Sequence, residues 1–292
     1  MNRHKIMNNN PWLNISWSNT IADCDRGCPV LRGKYKFGSV DYVNYINRND
    51  AVKKQKGEKP VELTFKDCLP EPFYGDIDSN VYLLNMNPGE PDYAFCEQND
   101  KQGLYINYCK SMLNHQPQKP GLLFDKVNKT IVYNPAKYNE VMDGIFDNHQ
   151  NKLFKMDKDK FPLRPHAGDV WQREAWKSLR DSLGRDPRVF IIEYFPYHST
   201  SGFSFPKENE LPSNVYRNYL IREAMKSEKL IIIMRQAKKW YDLKDDNDDN
   251  LGKDLEIYPN KVTLSCTGRI WLTTNNFVLP AHLSKTDVLN MF

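Results

Sequence analysis

Long hydrophobic runs are missing from this chain. The longest aliphatic stretch, LIIIM at residues 230–234, is far too short to cross a bilayer. The opening residues, MNRHKIMNNNPWLN, hold no apolar run of signal-peptide length. Both absences point to a soluble, cytoplasmic protein. Cysteine is sparse: six residues scattered over 292 fit reduced thiols better than a disulfide framework. No glycine-rich phosphate loop and no cluster of acidic metal ligands is visible, which weighs against a nucleotide hydrolase, and no internal repeat argues for a solenoid. Charge of one sign is not concentrated either. Lys and Arg number 41 against 37 Asp and Glu, and the net charge of +4 is only a mild tilt toward polyanionic partners. The acidic stretch 241–256 places Asp245, Asn247, Asp249 and Glu256 at calcium-loop positions. It has Asn250 where such a loop needs glycine, and so reads as a solvated loop.

What is present is a globular composition, with 40% hydrophobic and 12% aromatic residues. The length suits one elaborated domain covering residues 1–292, expected to be a monomer. Four short apolar runs stand out: VYLLNM (81–86), VFIIEYF (189–195), LIIIM (230–234) and RIWLTT (269–274). Continuous apolarity marks strands covered on both faces, as in a parallel sheet between helices. Residues 169–184 read as one helix closing on Gly184, residues 212–227 as another with Ser213 as a possible N-cap, and 235–243 as a third. The pattern predicts an α/β fold: a three-layer α/β/α sandwich with a central four-stranded, mainly parallel sheet. Residues 1–80 form an N-terminal elaboration, and 96–168 a polar, partly helical insertion.

Ligands of open α/β sheets bind beyond the carboxyl ends of the strands. Those ends carry Asn85, Met86, Asn87, Pro88 and Gly89 on the first run and Glu193, Tyr197 and His198 on the second. Arg235 and Gln236 follow the third, and Asn275 and Asn276 the fourth.

The segment LPEPFYGDIDSNVYLLNMNPG (69–89) resembles the first active-site motif of the uracil-DNA glycosylase superfamily, in the Asn-Pro-Gly form of its mismatch-specific branches. Asn87, Pro88 and Gly89 carry the match, and Asn85 stands where the family usually has glycine. VFIIEYFPY resembles the strand whose last side chain reads the flipped base. LIIIMRQAKKW is similar to the strand and helix that follow it, and WLTTNNFVLPAHLS (271–284) to the terminal loop that enters the DNA minor groove.

The resemblance implies a DNA glycosylase that flips a base and hydrolyses its N-glycosidic bond. Asn87 then positions a water and Asn275 replaces the family histidine, so the reaction leans on leaving-group stabilisation. Tyr93, Phe95 and Tyr197 are candidates to stack on the base. Asn276, Phe277, Val278 and Leu279 form the probing loop, and Lys238, Lys239 and Arg269 contact phosphates. His198 is a candidate partner for a base carbonyl. Glu193 is the informative departure, because a carboxylate accepts from the exocyclic amine of cytosine where the family's asparagine matches uracil. The expected substrate is therefore a modified cytosine, with phage defence as the setting. Alternatives stay open: uracil or mismatched-thymine repair, or an inactive DNA-binding module on the same fold. Glu193 could instead pair with Arg235 or His198, Asn87 could cap its turn, and the basic side chains could simply be solvated. Some branches of the superfamily hold a four-cysteine iron–sulfur cluster. The spacing of Cys24, Cys28, Cys96 and Cys109 does not suit one, so no cofactor or metal is expected.

Overall fold

Continuous apolarity in Val81–Leu84 and Val189–Ile192 translates into burial on both faces, with every one of these side chains at most 4% exposed. The computed structural model describes residues 8–16, 22–26, 34–37, 40–43, 69–86, 88–89, 92–96, 103–116, 118–147, 162–198, 211–244, 250–265 and 272–292. In chain order the elements begin with a hairpin of β1 (Lys34–Phe37) and β2 (Val40–Val43), then β3 (Phe73–Gly75) and β4 (Val81–Asn85). There follow α1 (Tyr93–Cys96), α2 (Leu104–Leu113), β5 (Leu122–Asp125), β6 (Thr130–Tyr133), α3 (Pro135–Asp147), β7 (Leu163–Pro165), α4 (Ala167–Ala175) and α5 (Lys177–Leu183). The last part holds β8 (Val189–Glu193), α6 (Asn214–Lys226), β9 (Leu230–Ile233), α7 (Ala237–Tyr241), α8 (Leu251–Ile257), β10 (Lys261–Leu264), β11 (Phe277–Val278) and α9 (Lys285–Met291).

The main sheet is mixed and six-stranded, in the order β11-β10-β9-β4-β8-β3, rather than a four-stranded sheet. β8, β4, β9 and β10 run parallel, while β3 and β11 close the two edges antiparallel. The fourth parallel strand is KVTL, Lys261–Leu264, not the expected RIWLTT. Leu272 to Thr274 lie outside any strand, and 269–271 fall outside the described residues. KVTL alternates and is only partly buried, so it lacks the continuous apolar signal of a central strand.

Alternate side chains of the central strands feed two cores. Tyr82, Leu84, Phe190, Ile192, Ile231 and Ile233 pack with residues of α2, α6, α7 and α8. Val81, Leu83, Val189, Ile191, Leu230 and Ile232 pack with α4, α5 and α9 on the other face. The expected single helix 169–184 is two: the backbone leaves helical geometry at Trp176, where the Ala175 carbonyl accepts from Leu272 N at 3.0 Å. Gly184 ends α5 in the left-handed conformation, φ 66°, as its position predicts. The 96–168 insertion holds more than helix: β6, β5 and β7 form a three-stranded antiparallel sheet that α3 covers through Tyr138 and Met142. Among the described residues no helix is long and apolar enough to cross a membrane.

The N-terminal elaboration is tied to the sheet by a buried carboxyl. Asp25 accepts from Tyr197 Oη at 2.8 Å, Ser213 N at 2.8 Å and Ser213 Oγ at 2.6 Å. Ser213 therefore does not cap α6 with its side chain, because its hydroxyl is spent on Asp25. Trp12 packs edge-on against Tyr197, with ring centroids 5.8 Å apart. Cys96 is disulfide-bonded, which corrects the expectation of reduced thiols, whereas Cys24 and Cys109 form no disulfide. Asp25→Ala should strand three buried donors and lower unfolding stability by about 3 kcal/mol or more, read as a shift of the urea midpoint. Ser213→Ala, which keeps the Tyr197 contact and the backbone donor, should lose about half of that.

Candidate active site

The order of the parallel strands reverses at β4: the chain runs outward from β4 to β8, then crosses back to β9 on the other side. A crevice at the carboxyl ends of strands forms at such a reversal. The last residues of the two adjacent strands, Asn85 and Glu193, are register partners. Both belong to the alternation of Val81, Leu83, Val189 and Ile191, so they share a face of the sheet. Asn85 Nδ2 donates to Glu193 Oε1 at 3.0 Å. Glu193 is 8% exposed, and its Oε2 is buried with no hydrogen-bond partner among the described residues. Burial pushes the carboxyl up to about 8; Glu71 adds to the rise, while the Asn85 hydrogen bond and Arg235 oppose it. The upward shift favours the neutral acid at pH 7, where the sequence reading takes a carboxylate.

His198 lies beside this pair. Its Nδ1 donates to the Gly89 carbonyl at 3.1 Å, and its Nε2 is 3.7 Å from Glu71 Oε1. Burial lowers its pKa, with Glu71 opposing, so the ring is neutral at pH 7. The bond to Gly89 fixes the corner that follows β4. Gly89 has φ 81°, and nothing stands within 4 Å of where a Cβ would be, so it is the backbone conformation that calls for glycine. Asn87 lies outside the described residues. Met86 is buried, and its carbonyl accepts from Phe195 N at 2.9 Å. Pro88 is half-buried.

The aromatic candidates sit deeper than a stacking role requires. Tyr197 is 1% exposed and committed to Asp25, so it is a core residue that anchors the N-terminal elaboration. Phe95, also 1% exposed, packs edge-on against Tyr105 and His166 beneath the Arg164 guanidinium. Tyr93 opens α1, and its side chain lies outside the described residues. In the terminal segment, Phe277 belongs to the second core and Leu279 packs against it, so neither is a free wedge; Val278 is exposed on the edge strand. Pairing of β11 with β10 brings Asn275 and Asn276 to the same end of the sheet as Glu193. Asn275 is exposed and accepts from Lys285 Nζ at 3.1 Å. Asn276 N donates to the Thr273 carbonyl. Lys238 is exposed, and Lys239 is half-buried with its ammonium 6.0 Å from the Tyr194 ring centre. Arg269, Cys28 and Asp245 to Asp249 lie outside the described residues. Among the described residues no three His, Cys, Asp or Glu side chains converge as metal ligands.

Sequence reasoning missed a second, partly buried polar set. Asp169, in the first turn of α4, accepts from Tyr74 at 3.2 Å and Tyr108 at 3.3 Å. Burial raises its pKa, opposed by His166 and by hydrogen bonds from Tyr138, Tyr74 and Tyr108. One carboxyl therefore gathers residues of β3, α2, α3 and α4. An acidic residue in a first helical turn is ordinary in sequence, so nothing marked it. Asp92, just before α1, receives Arg164 Nη1 at 2.7 Å, Arg164 Nη2, and Ala167 N at 2.9 Å. Burial alone would raise the Asp92 pKa, but the bonds and charge of Arg164, with help from His166 and Ala167 N, hold it low. His166 Nδ1 accepts from Gly168 N at 3.3 Å, which leaves Nε2 to donate to Tyr105 Oη at 3.3 Å. A narrow cavity against Glu193, bounded also by Trp12, Phe73, Ile192, Tyr216 and Arg217, has room for about one water.

Against known proteins, no family model, no curated protein and no solved structure matches the chain. Arg164→Met should leave the Asp92 charge uncompensated and cost about 3–5 kcal/mol at neutral pH. Because the Asp92 pKa is depressed, that difference is present above its ordinary value of 3.8 and shrinks as pH falls below it. Urea midpoints of both proteins at pH 7 and pH 3 would show a large gap and a small one respectively.

Proposed function

We propose that the protein is a DNA glycosylase that releases a modified cytosine from DNA and leaves an abasic site. The observation that carries this reading is the Glu193 carboxyl. It sits buried at the strand reversal, held by Asn85 through one oxygen, with the other oxygen unpartnered. A protein interior does not keep an unsatisfied carboxyl oxygen for stability, since each such group costs about 1–3 kcal/mol. Buried groups of this kind with shifted pKa values concentrate at reacting sites. A neutral carboxylic acid presents one donor and one acceptor. That pair meets the N3 acceptor and the N4 amino donor of cytosine, two hydrogen bonds on the Watson–Crick edge of a flipped base. Oε2 is closed to solvent, so the base reaches it by displacing the side chains that cover it.

The reaction follows from the resemblance of Asn87-Pro88-Gly89 to the superfamily motif. Asn87 orients a water whose oxygen bonds to C1′, the C1′–N1 electron pair leaves with the pyrimidine, and the water proton passes to solvent. Arg235 and Lys238, exposed after β9 at the same end of the sheet, are suited to phosphates, with Asn275, Asn276 and Val278 from the terminal segment beside them. The +4 net charge fits such a partner.

A second reading, removal of uracil or mismatched thymine, gains from the neutrality of Glu193. The same donor and acceptor also match O4 and N3–H of those bases.

The test is release of each base from oligonucleotides containing uracil, a thymine mismatch, cytosine, hydroxymethylcytosine or glucosylated hydroxymethylcytosine, read as alkali-labile sites. A modified cytosine should be released fastest. Glu193→Asn should change the order of preference, and Asn87→Ala should slow release about 10²–10³-fold. Binding without cleavage on every DNA would leave a DNA-binding module instead.

A further inference from the structure

The oxygen that Asn85 leaves unpartnered has a use beyond recognition, and this inference rests on the glycosylase reading. Asn87 is an amide and cannot act as a strong base, and Asn275 carries no acidic proton. The negative charge that develops on the departing pyrimidine therefore needs a donor from elsewhere. We propose that Glu193 is the catalytic acid of base release: its Oε2 carries a proton to N3 of the leaving pyrimidine, while Asn85 holds the carboxyl in place through Oε1.

The geometry that supports this is specific. The hydrogen bond from Asn85 Nδ2 engages Oε1 only, at 3.0 Å, and the two residues are held side by side by strand register. With Oε1 occupied as an acceptor, the acidic proton resides on Oε2, where none of the described residues receives it. The ionisable groups acting on Glu193 are Glu71, before β3, which opposes ionisation, and Arg235, after β9, which favours it. His198, after β8, is neutral and turned toward Gly89 and Glu71. Asp25, Asp92 and Asp169 each receive two or more donors, so among these carboxyls an oxygen without a donor is particular to Glu193.

The step balances. The C1′–N1 electron pair leaves with the base, and the Glu193 proton moves to N3. The released pyrimidine is a neutral tautomer and Glu193 is left as a carboxylate, reprotonated from solvent before the next turnover. A carboxylate from the start would repel the charge developing on the ring and slow the reaction. The step requires a leaving base whose N3 has a free lone pair, which is the property of cytosine and its 5-substituted forms; uracil and thymine carry hydrogen there.

The experiment is the pH dependence of kcat/KM for base release by the full chain, with Glu193→Gln and Asn85→Ala alongside wild type. Wild-type activity should fall above about pH 8. Glu193→Gln, which keeps the shape and a hydrogen-bond donor but has no proton to give, should be about 10²-fold slower at neutral pH and lose that alkaline limb. Asn85→Ala removes a bond that favours the ionised form, so its limb should move to higher pH, which loss of structure alone would not produce. An alkaline limb that survives in Glu193→Gln, or a wild-type rate that climbs through pH 8, would overturn the assignment while leaving the glycosylase reading intact. An unmoved limb in Asn85→Ala would remove the positioning role. No base released from any DNA at any pH would mean that the glycosylase reading itself fails, and the acid with it.

Discussion

Both faces of β4 and β8 are dry, and much of the architecture answers to that. Strands without a wet face need helices above and below, which the chain supplies with α2, α6, α7 and α8 on one side and α4, α5 and α9 on the other. The same dryness reaches Glu193, the last residue of β8, while Asn85 at the end of β4 is half-buried. The Glu193 side chain cannot rely on water, so it must find Asn85 or something brought to it.

The buried carboxyls of the protein show what ordinary satisfaction looks like. Asp25 gathers a phenol, a hydroxyl and a backbone amide; Asp92 gathers a guanidinium and a backbone amide; Asp169 gathers tyrosine hydroxyls from neighbouring elements. Each links separate pieces of chain, and each explains itself as structure. Glu193 links only two neighbouring strands that backbone hydrogen bonds already join, through one of its two oxygens. Its burial does no comparable structural task. Asp92, Arg164, His166 and Asp169 instead fix the insertion against the sheet edge and against α1.

Some of the fold could be read from residue order. VYLLNM, VFIIEYF and LIIIM announce central strands because unbroken apolarity fits only two-sided burial, and Glu193 stood out as a charge closing such a run. KVTL was hidden because an outer strand with partial burial has no comparable pattern, and the apolar RIWLTT drew the assignment away from it. Tyr197 reads in sequence as a base-stacking aromatic and Phe277 as a probing wedge, and both are core residues in the fold, since an aromatic near a strand end carries no mark of which way it faces. The three-stranded sheet of the insertion went unread, its strands being only three or four residues long.

What the sequence by itself determined is the α/β class and the polar character of the strand ends, because burial periodicity and chemical type are local properties of a chain. Only the tertiary structure decided that burial pushes the Glu193 carboxyl toward its neutral form, with one oxygen held and the other without a partner among the described residues. That state depends on exclusion of water, on the register of β4 against β8 and on the distances to Glu71 and Arg235, which are contributed by residues far apart in the chain.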